Sequence, residues 1–251
     1  MKLARDTWLT FTYETGQLVQ SPSVVAAELI SPIAYLLFFT PFIKAVLHVS
    51  TYGGAFLIYL PSLFVATGLF GGLFSGLVLI QALREGVIAR FRVTPLSRVG
   101  LLLGRELKYV VLVGFQAVVM AVIAFGLGLR LPLPNFLLAL VLLSMAVLIG
   151  VSISYVLAIL VPNETVLSNL TNGVGQPLAL LAGVYIPVTL APLWVRDVAL
   201  WNPYAWAANG MRTVFMGHIG AQVVWEAAAI LGGLTFVTAL LSSRVFTREI
   251  A

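Results

Sequence analysis

Asn169, Asn172 and Gln176 stand three and four residues apart in the otherwise apolar stretch 165–186. On a helix that spacing puts all three amides on one face. An amide carries no charge and shuttles no protons; it donates and accepts hydrogen bonds. Such a face suits a path that a polar group follows, or hydrogen bonding between helices where water is absent. Glu28 and Glu226 are carboxylates near the ends of apolar windows. A carboxylate at membrane depth is a functional candidate by default. Both also lie near enough to a boundary to reach water, and Glu28 has Arg84 and Arg105 as alternative partners.

The densest charge lies in Arg84–Lys108, REGVIARFRVTPLSRVGLLLGRELK, which holds six of the fourteen cations. Ile88, Phe91 and Arg92 have helical spacing, and Thr94-Pro95 ends that helix because the residue before proline disfavours the α conformation. Two roles fit: a loop that fixes topology, or a short helix docked on a partner with Ile88 or Phe91 as anchor. Catalytic constellations are missing. There is no G-x-x-x-x-G-K-[ST] to cradle phosphates and no H-E-x-x-H to hold zinc. His48 and His218 are far apart, and the absence of cysteine excludes thiol chemistry and iron–sulfur clusters. The chain is therefore not expected to be an enzyme or to bind a metal.

These groups are set in 251 residues that are 61% hydrophobic and 9% charged, with a mean hydropathy of +1.06. Soluble domains run near 25% charged. The composition excludes an ordinary soluble globule, a disordered chain and a nucleic-acid binder. An all-α polytopic membrane protein is expected, a single transmembrane domain over 1–251. A span needs about 20 apolar residues, and windows poor in charge place six: about 23–47, 56–82, 109–129, 135–161, 165–186 and 221–243. The charged loop 84–108 separates the second from the third.

Lys and Arg concentrate on the cytoplasmic side of membranes. With the N-terminus inside and six spans, ten cations fall inside and Lys44, Arg130, Arg196 and Arg212 outside. Both termini are then cytoplasmic, and the pI of 9.7 is a topological signature. No secretory signal is expected, because Asp6, Thr7, Thr10, Thr12 and Glu14 interrupt any apolar core. Residues 3–19 instead form an amphipathic helix in the headgroup plane, with Ala4, Trp8, Phe11 and Val19 on one face. Leu9 is out of register with that face.

Segment 187–218 is broken by Pro187, Pro192 and Pro203 and holds three of the five tryptophans. Two short helices that dip into the outer leaflet and return accommodate these prolines. Trp194, Trp201, Tyr204 and Trp206 then form an aromatic belt at the outer interface. Arg212 is expected to pair with Asp197 or a lipid phosphate.

Two runs resemble a known family. REGVIARFRVTPLSRVGLLLGREL looks like the first cytoplasmic loop of the ABC type-2 permeases, the membrane subunits of drug, lipid and polysaccharide exporters. AGVYIPVTLAPLWVRDVALWNPYAWAANGMRTVFMG resembles that family's second signature, with Gly183–Pro187, Pro192–Trp194, Asn202-Pro203, Arg212 and Gly217 in order. The family often has Gly-Thr and a second Glu in the loop, where this chain has Gly86 followed by Val87, Ile88 and Ala89. The departure points to a differently charged partner surface.

The resemblance implies a division of labour. Two permease copies, here expected as a homodimer, pair with two separate ABC ATPase subunits that bind the ATP and Mg. Arg84, Glu85, Ile88, Arg90, Phe91, Arg92, Thr94 and Pro95 would form the coupling helix seated in the ATPase. Pro162-Asn163-Glu164 would be a smaller cytoplasmic contact, or simply a polar helix stop. Export of an amphipathic drug, lipid or lipid-linked glycan across the cell membrane follows. An ATP-independent channel or secondary transporter is the alternative; it calls for internal repeats and paired midplane charges, and neither is seen.

Overall fold

The computed structural model describes residues 2–86, 97–185 and 188–249. The helices are α1 (Lys2–Gln20), α2 (Pro22–Val46), α3 (Tyr52–Arg84), α4 (Arg98–Gly126), α5 (Leu133–Leu160), α6 (Glu164–Leu181), α7 (Leu193–Ala199), α8 (Pro203–Phe215) and α9 (Gln222–Glu249), with a 3₁₀ turn at Val188–Leu190 before α7. Local sequence sets their starts. Thr51, Ser97, Asn163 and Asn202 each accept a backbone N–H in the first turn of α3, α4, α6 and α8. Each such cap contributes about 1 kcal/mol. Proline in the first turn of α2, α5 and α8 costs no hydrogen bond there.

Five helices among the described residues are long and apolar enough to cross a membrane: α2, α3, α4, α5 and α9. At 18 residues α6 is the shortest of the long helices after α8, and its amides keep it out of that group. Both of its ends are nevertheless tied to neighbouring elements. Arg84 at the end of α3 pairs with Glu164 at the start of α6, 2.7 Å apart. Arg98 at the start of α4 donates to the Thr247 carbonyl near the end of α9 at 3.1 Å. At the opposite end Asn202 donates to the Leu178 carbonyl late in α6 at 2.8 Å, and Asn135 donates to the Val214 carbonyl at 2.6 Å.

Helices α3 and α5 make the core. Gly68, Gly72 and Gly76 recur every four residues along α3 and face Leu143, Val147, Gly150 and Ser154 of α5. With no side chains between them, the backbones touch. A Cβ on Gly72 would lie 3.0 Å from both Gly150 Cα and the Val147 carbonyl oxygen. Small residues let helices approach this closely where no hydrophobic effect drives them together. The Ser154 hydroxyl accepts from Gly76 N–H at 3.0 Å and donates to the Leu73 carbonyl. Phe64 meets Phe136 and Phe215 edge-on, with centroids 6.3 and 5.9 Å apart, and joins α8 to this core.

Helix α4 starts well before the uncharged window at Tyr109, so Arg98, Arg105 and Lys108 are helical rather than part of a loop. The reason is α1. Gly100 and Gly104, spaced by four, let α1 cross α4 in backbone contact at Thr7, Thr10 and Phe11. The charges that follow are then held by protein. The amphipathic helix is as expected, but its faces have different hosts. Asp6, Thr10 and Glu14 are buried, while Leu3, Trp8, Leu9, Tyr13 and Val19 are exposed. Leu9 sits beside Trp8 on the outer apolar face, which resolves its misfit.

Candidate functional site

A cavity of about 470 Å³ lies between α2, α3, α4 and α6. That volume is in the range of small-molecule sites. Tyr59, Phe70 and Phe74 of α3 and Tyr109 of α4 supply its aromatic wall, with Tyr185 beyond the end of α6. Of the three predicted amides, Asn172 and Gln176 line it and Asn169 does not. At 1.5 Å per residue Asn169 lies about 4.5 Å nearer the start of α6 than Asn172, beyond the part of the helix that lines the cavity. Gln176 accepts from the Tyr185 hydroxyl at 3.0 Å, and Asn172 donates back to the Ser168 carbonyl at 2.9 Å. The adjoining face of α6, with Leu167, Thr171, Gly175 and Ala179, is buried.

Glu28 also lines the cavity. Its partner is neither Arg84 nor Arg105. Gln116 of α4 donates to its Oε2 at 3.4 Å. Arg84 is paired with Glu164 and Arg105 with Glu14. Gln116 lies eight residues beyond Lys108, or about 12 Å along the helix at 1.5 Å per residue. Glu226 is half-buried and accepts from Gln222 one turn before it at 2.6 Å.

The charged end of the bundle is tied by ions that sequence spacing could not pair. Glu14 of α1 accepts from Arg105 Nε and Lys108 Nζ, both at 2.7 Å, with all three side chains buried. Burial alone would raise the Glu14 pKa; the two adjacent cations outweigh it and hold the carboxyl below its ordinary value. Asp6 accepts the Ser97 backbone N–H at 2.8 Å. That bond lowers the Asp6 pKa against the opposing effect of burial. On the other side of α4, Glu106 accepts from Ser152 of α5 at 3.1 Å and Ser242 of α9 at 3.3 Å. Glu106 had no signal in sequence, being one carboxylate in a run that reads as a loop.

Of the coupling segment, Arg84 and Glu85 are described; Ile88, Arg90, Phe91, Arg92, Thr94 and Pro95 lie outside the described residues. What is described are its two roots. Arg84 is tied to Glu164 and Ser97 to Asp6. Asn163 caps α6 through its bond from Val166 N–H at 3.2 Å, so the Pro162-Asn163-Glu164 turn has a structural task of its own.

After α6 the chain forms two short helices, α7 and α8. Trp194 and Trp201 are exposed, Trp201 at 90%, and Trp206 is half-buried with its Nε1 donating to the Leu200 carbonyl at 2.8 Å. Tyr204 departs from the expected belt. It is 2% exposed and packs on Gly150, because Asn202 caps α8 in a register that turns position 204 to the core. Arg212 also departs from expectation, donating to the Ser62 hydroxyl at 2.8 Å and to the Gly183 carbonyl. Gly183 ends α6 with φ +70°, a conformation that favours glycine. Its carbonyl is thereby turned to Arg212, and α3, α6 and α8 are joined at one point.

Among the described residues no group of three His, Asp or Glu side chains could hold a metal ion. The arrangement is one of a largely apolar cavity and a braced bundle. The chain is 26% identical over 203 residues to the ycf38 transport permease of Cyanophora paradoxa, covering 79% of this chain and 70% of that protein. It is 26% identical over 233 residues to the daunorubicin resistance ABC transporter permease protein DrrB1 of Streptomyces coeruleorubidus, covering 87% of this chain and 77% of that one. Residues 5–216 match the ABC-2 type transporter family. With nearly its whole length matched and a bundle of apolar helices to carry it, the chain belongs to the ABC-2 type transporter family, whose members are membrane transport subunits that imply an ATPase partner.

Proposed function

We propose that the chain is the permease subunit of an ATP-driven exporter that moves an amphipathic drug, lipid or lipid-linked glycan outward. The observation that carries this is the cavity of about 470 Å³ walled by four helices, lined by aromatic rings with amides on one side. In this reading α6 crosses the membrane as a sixth span, supported by its contacts with Arg84 at one end of the bundle and Asn202 at the other. Both termini then lie on the cytoplasmic side of the cell membrane, and α7 and α8 form the re-entrant outer element with Trp194 and Trp201 toward lipid. A second permease copy completes the transporter against faces such as that of Phe38 and Phe42, which are exposed on the single chain. The segment from Arg84 to Pro95 docks on the ABC ATPase, which holds the ATP and Mg.

Reconstitution with and without an ABC ATPase subunit tests this directly. Transport by the chain alone would establish an ATP-independent channel or secondary transporter instead. The double variant Asn172→Ala/Gln176→Ala should lower export about tenfold, the scale of two lost hydrogen bonds of about 0.5–1.5 kcal/mol each, while assembly with the ATPase is retained. Unchanged export would remove the cavity from the path. Charge reversal at Arg90 or Arg92 should lower substrate-stimulated ATP hydrolysis without unfolding the bundle.

A further inference from the structure

We propose that the cavity between α2, α3, α4 and α6 selects a cationic amphiphile, with Glu28 and tyrosine ring faces receiving its positive centre. The inference rests on the preceding reading, since it takes the cavity for the place where cargo binds. Among the described residues that line it, Glu28 is the only charged side chain. Its described hydrogen-bond partner is the neutral amide of Gln116, at a long 3.4 Å. The ion pairs found among the described residues are Arg84–Glu164, Arg105–Glu14 and Lys108–Glu14, and none includes Glu28. Lys108, whose charge reaches Glu28, is committed to Glu14 at 2.7 Å and lies 5.0 Å over the Tyr109 ring.

Three physical consequences follow. A cation brought beside Glu28 gains an opposite charge that no protein cation has neutralised. It also meets Tyr35, Tyr59 and Tyr185, whose ring faces attract cations within about 6 Å. A neutral amphiphile of the same shape fills the cavity but strips water from a carboxylate without replacing it, which is unfavourable. An anion meets like charge. The volume suits a compact amphiphile rather than a lipid-linked glycan, which would present anionic phosphate to Glu28.

The test uses the full-length chain purified in detergent, with tetraphenylphosphonium as cation and triphenylphosphine oxide as neutral aromatic control. Each probe is compared between wild type and variant, so partitioning into the micelle cancels. Glu28→Gln should weaken phosphonium binding about tenfold, equivalent to about 1.4 kcal/mol, and leave the oxide within about twofold, under 0.5 kcal/mol on the same scale. Glu28→Asp, which keeps the charge, should stay nearer to wild type than Glu28→Gln for the phosphonium, which separates loss of charge from loss of fold. Equal phosphonium affinity in wild type and Glu28→Gln, or equal weakening of both probes, overturns the proposal. Binding needs no ATPase. A chain that binds phosphonium through Glu28 yet exports nothing with its ATPase upholds the cation site and defeats the export reading. ATP-driven export with no charge preference and no effect of Glu28→Gln does the reverse.

Discussion

Glu14→Gln is expected to cost about 3–5 kcal/mol, the penalty for removing one partner of a buried ion pair. The reason is geometric. Arg105 and Lys108 both converge on this one carboxylate at 2.7 Å, and Glu14 itself is 4% exposed. The variant leaves two buried cations with no counter-ion. Thermal unfolding of the purified chain followed by circular dichroism should show a fall of roughly 6–20 °C, at about 2–4 °C per kcal/mol for a chain of this size. The triple variant Glu14→Gln/Arg105→Met/Lys108→Met should recover most of the loss, because an apolar replacement of the whole cluster is often neutral. A Glu14→Gln protein melting within about 2 °C of wild type, well short of the expected fall, would show that the cluster is solvated.

The same carboxylate sets an acid limit. Its folded pKa lies below the ordinary value of 4.5, so the native state holds fewer protons than the unfolded state in that window. Its contribution is fully present above the ordinary value and is lost as the pH falls through the depressed one. Asp6, depressed by the Ser97 bond, acts in the same direction. Melting temperature should therefore fall more steeply on acidification in wild type than in Glu14→Gln.

Gly72→Leu should prevent the bundle from assembling. A single Cβ at this site would already stand 3.0 Å from Gly150 Cα and from the Val147 carbonyl oxygen, and backbone cannot rotate aside as a side chain can. Overpacking a core costs about 1–3 kcal/mol when side chains can yield; here the expected cost is above that range. Gly150→Leu should behave alike from the other helix. Gly233→Ala on α9, where an added Cβ meets nothing within 4 Å, is the control and should express as wild type. Monodispersity on size-exclusion chromatography separates the three; a monodisperse Gly72→Leu protein would show that α3 and α5 can part without loss of the fold.

How far these features were legible differs by element. The apolar windows located α2, α3 and α5 because composition alone decides what can be surrounded by lipid. The start of α4 was hidden, since six cations in Arg84–Lys108 look like a solvated loop until α1 supplies the one carboxylate, Glu14, that pairs with two of them. Residues 14 and 105 pair across 91 positions, and no periodicity reports such a distance. Asn172 and Gln176 were visible because amides are rare in apolar surroundings, whereas the choice between cavity and helix contact depended on which face Thr171 and Gly175 turn to α3. The four-residue glycine repeat at Gly68, Gly72 and Gly76 was readable in principle, being the same small-residue spacing that lets helices meet. Tyr204 shows the opposite case. Its neighbours Trp201 and Trp206 suggest a common belt, and only the cap at Asn202 decides that it turns inward.

The clamp between α1 and α4 also orders events in time. The 91 positions separating Glu14 from Arg105 take roughly 5–20 s to synthesise at about 5–20 residues per second. Throughout that interval the polar stripe of α1 has no protein to satisfy it and must remain wetted. The exposed stripe of Leu3, Trp8, Leu9 and Tyr13 would meanwhile suit an interfacial surface. The N-terminus is thus made first and secured late, when α4 emerges and closes over it.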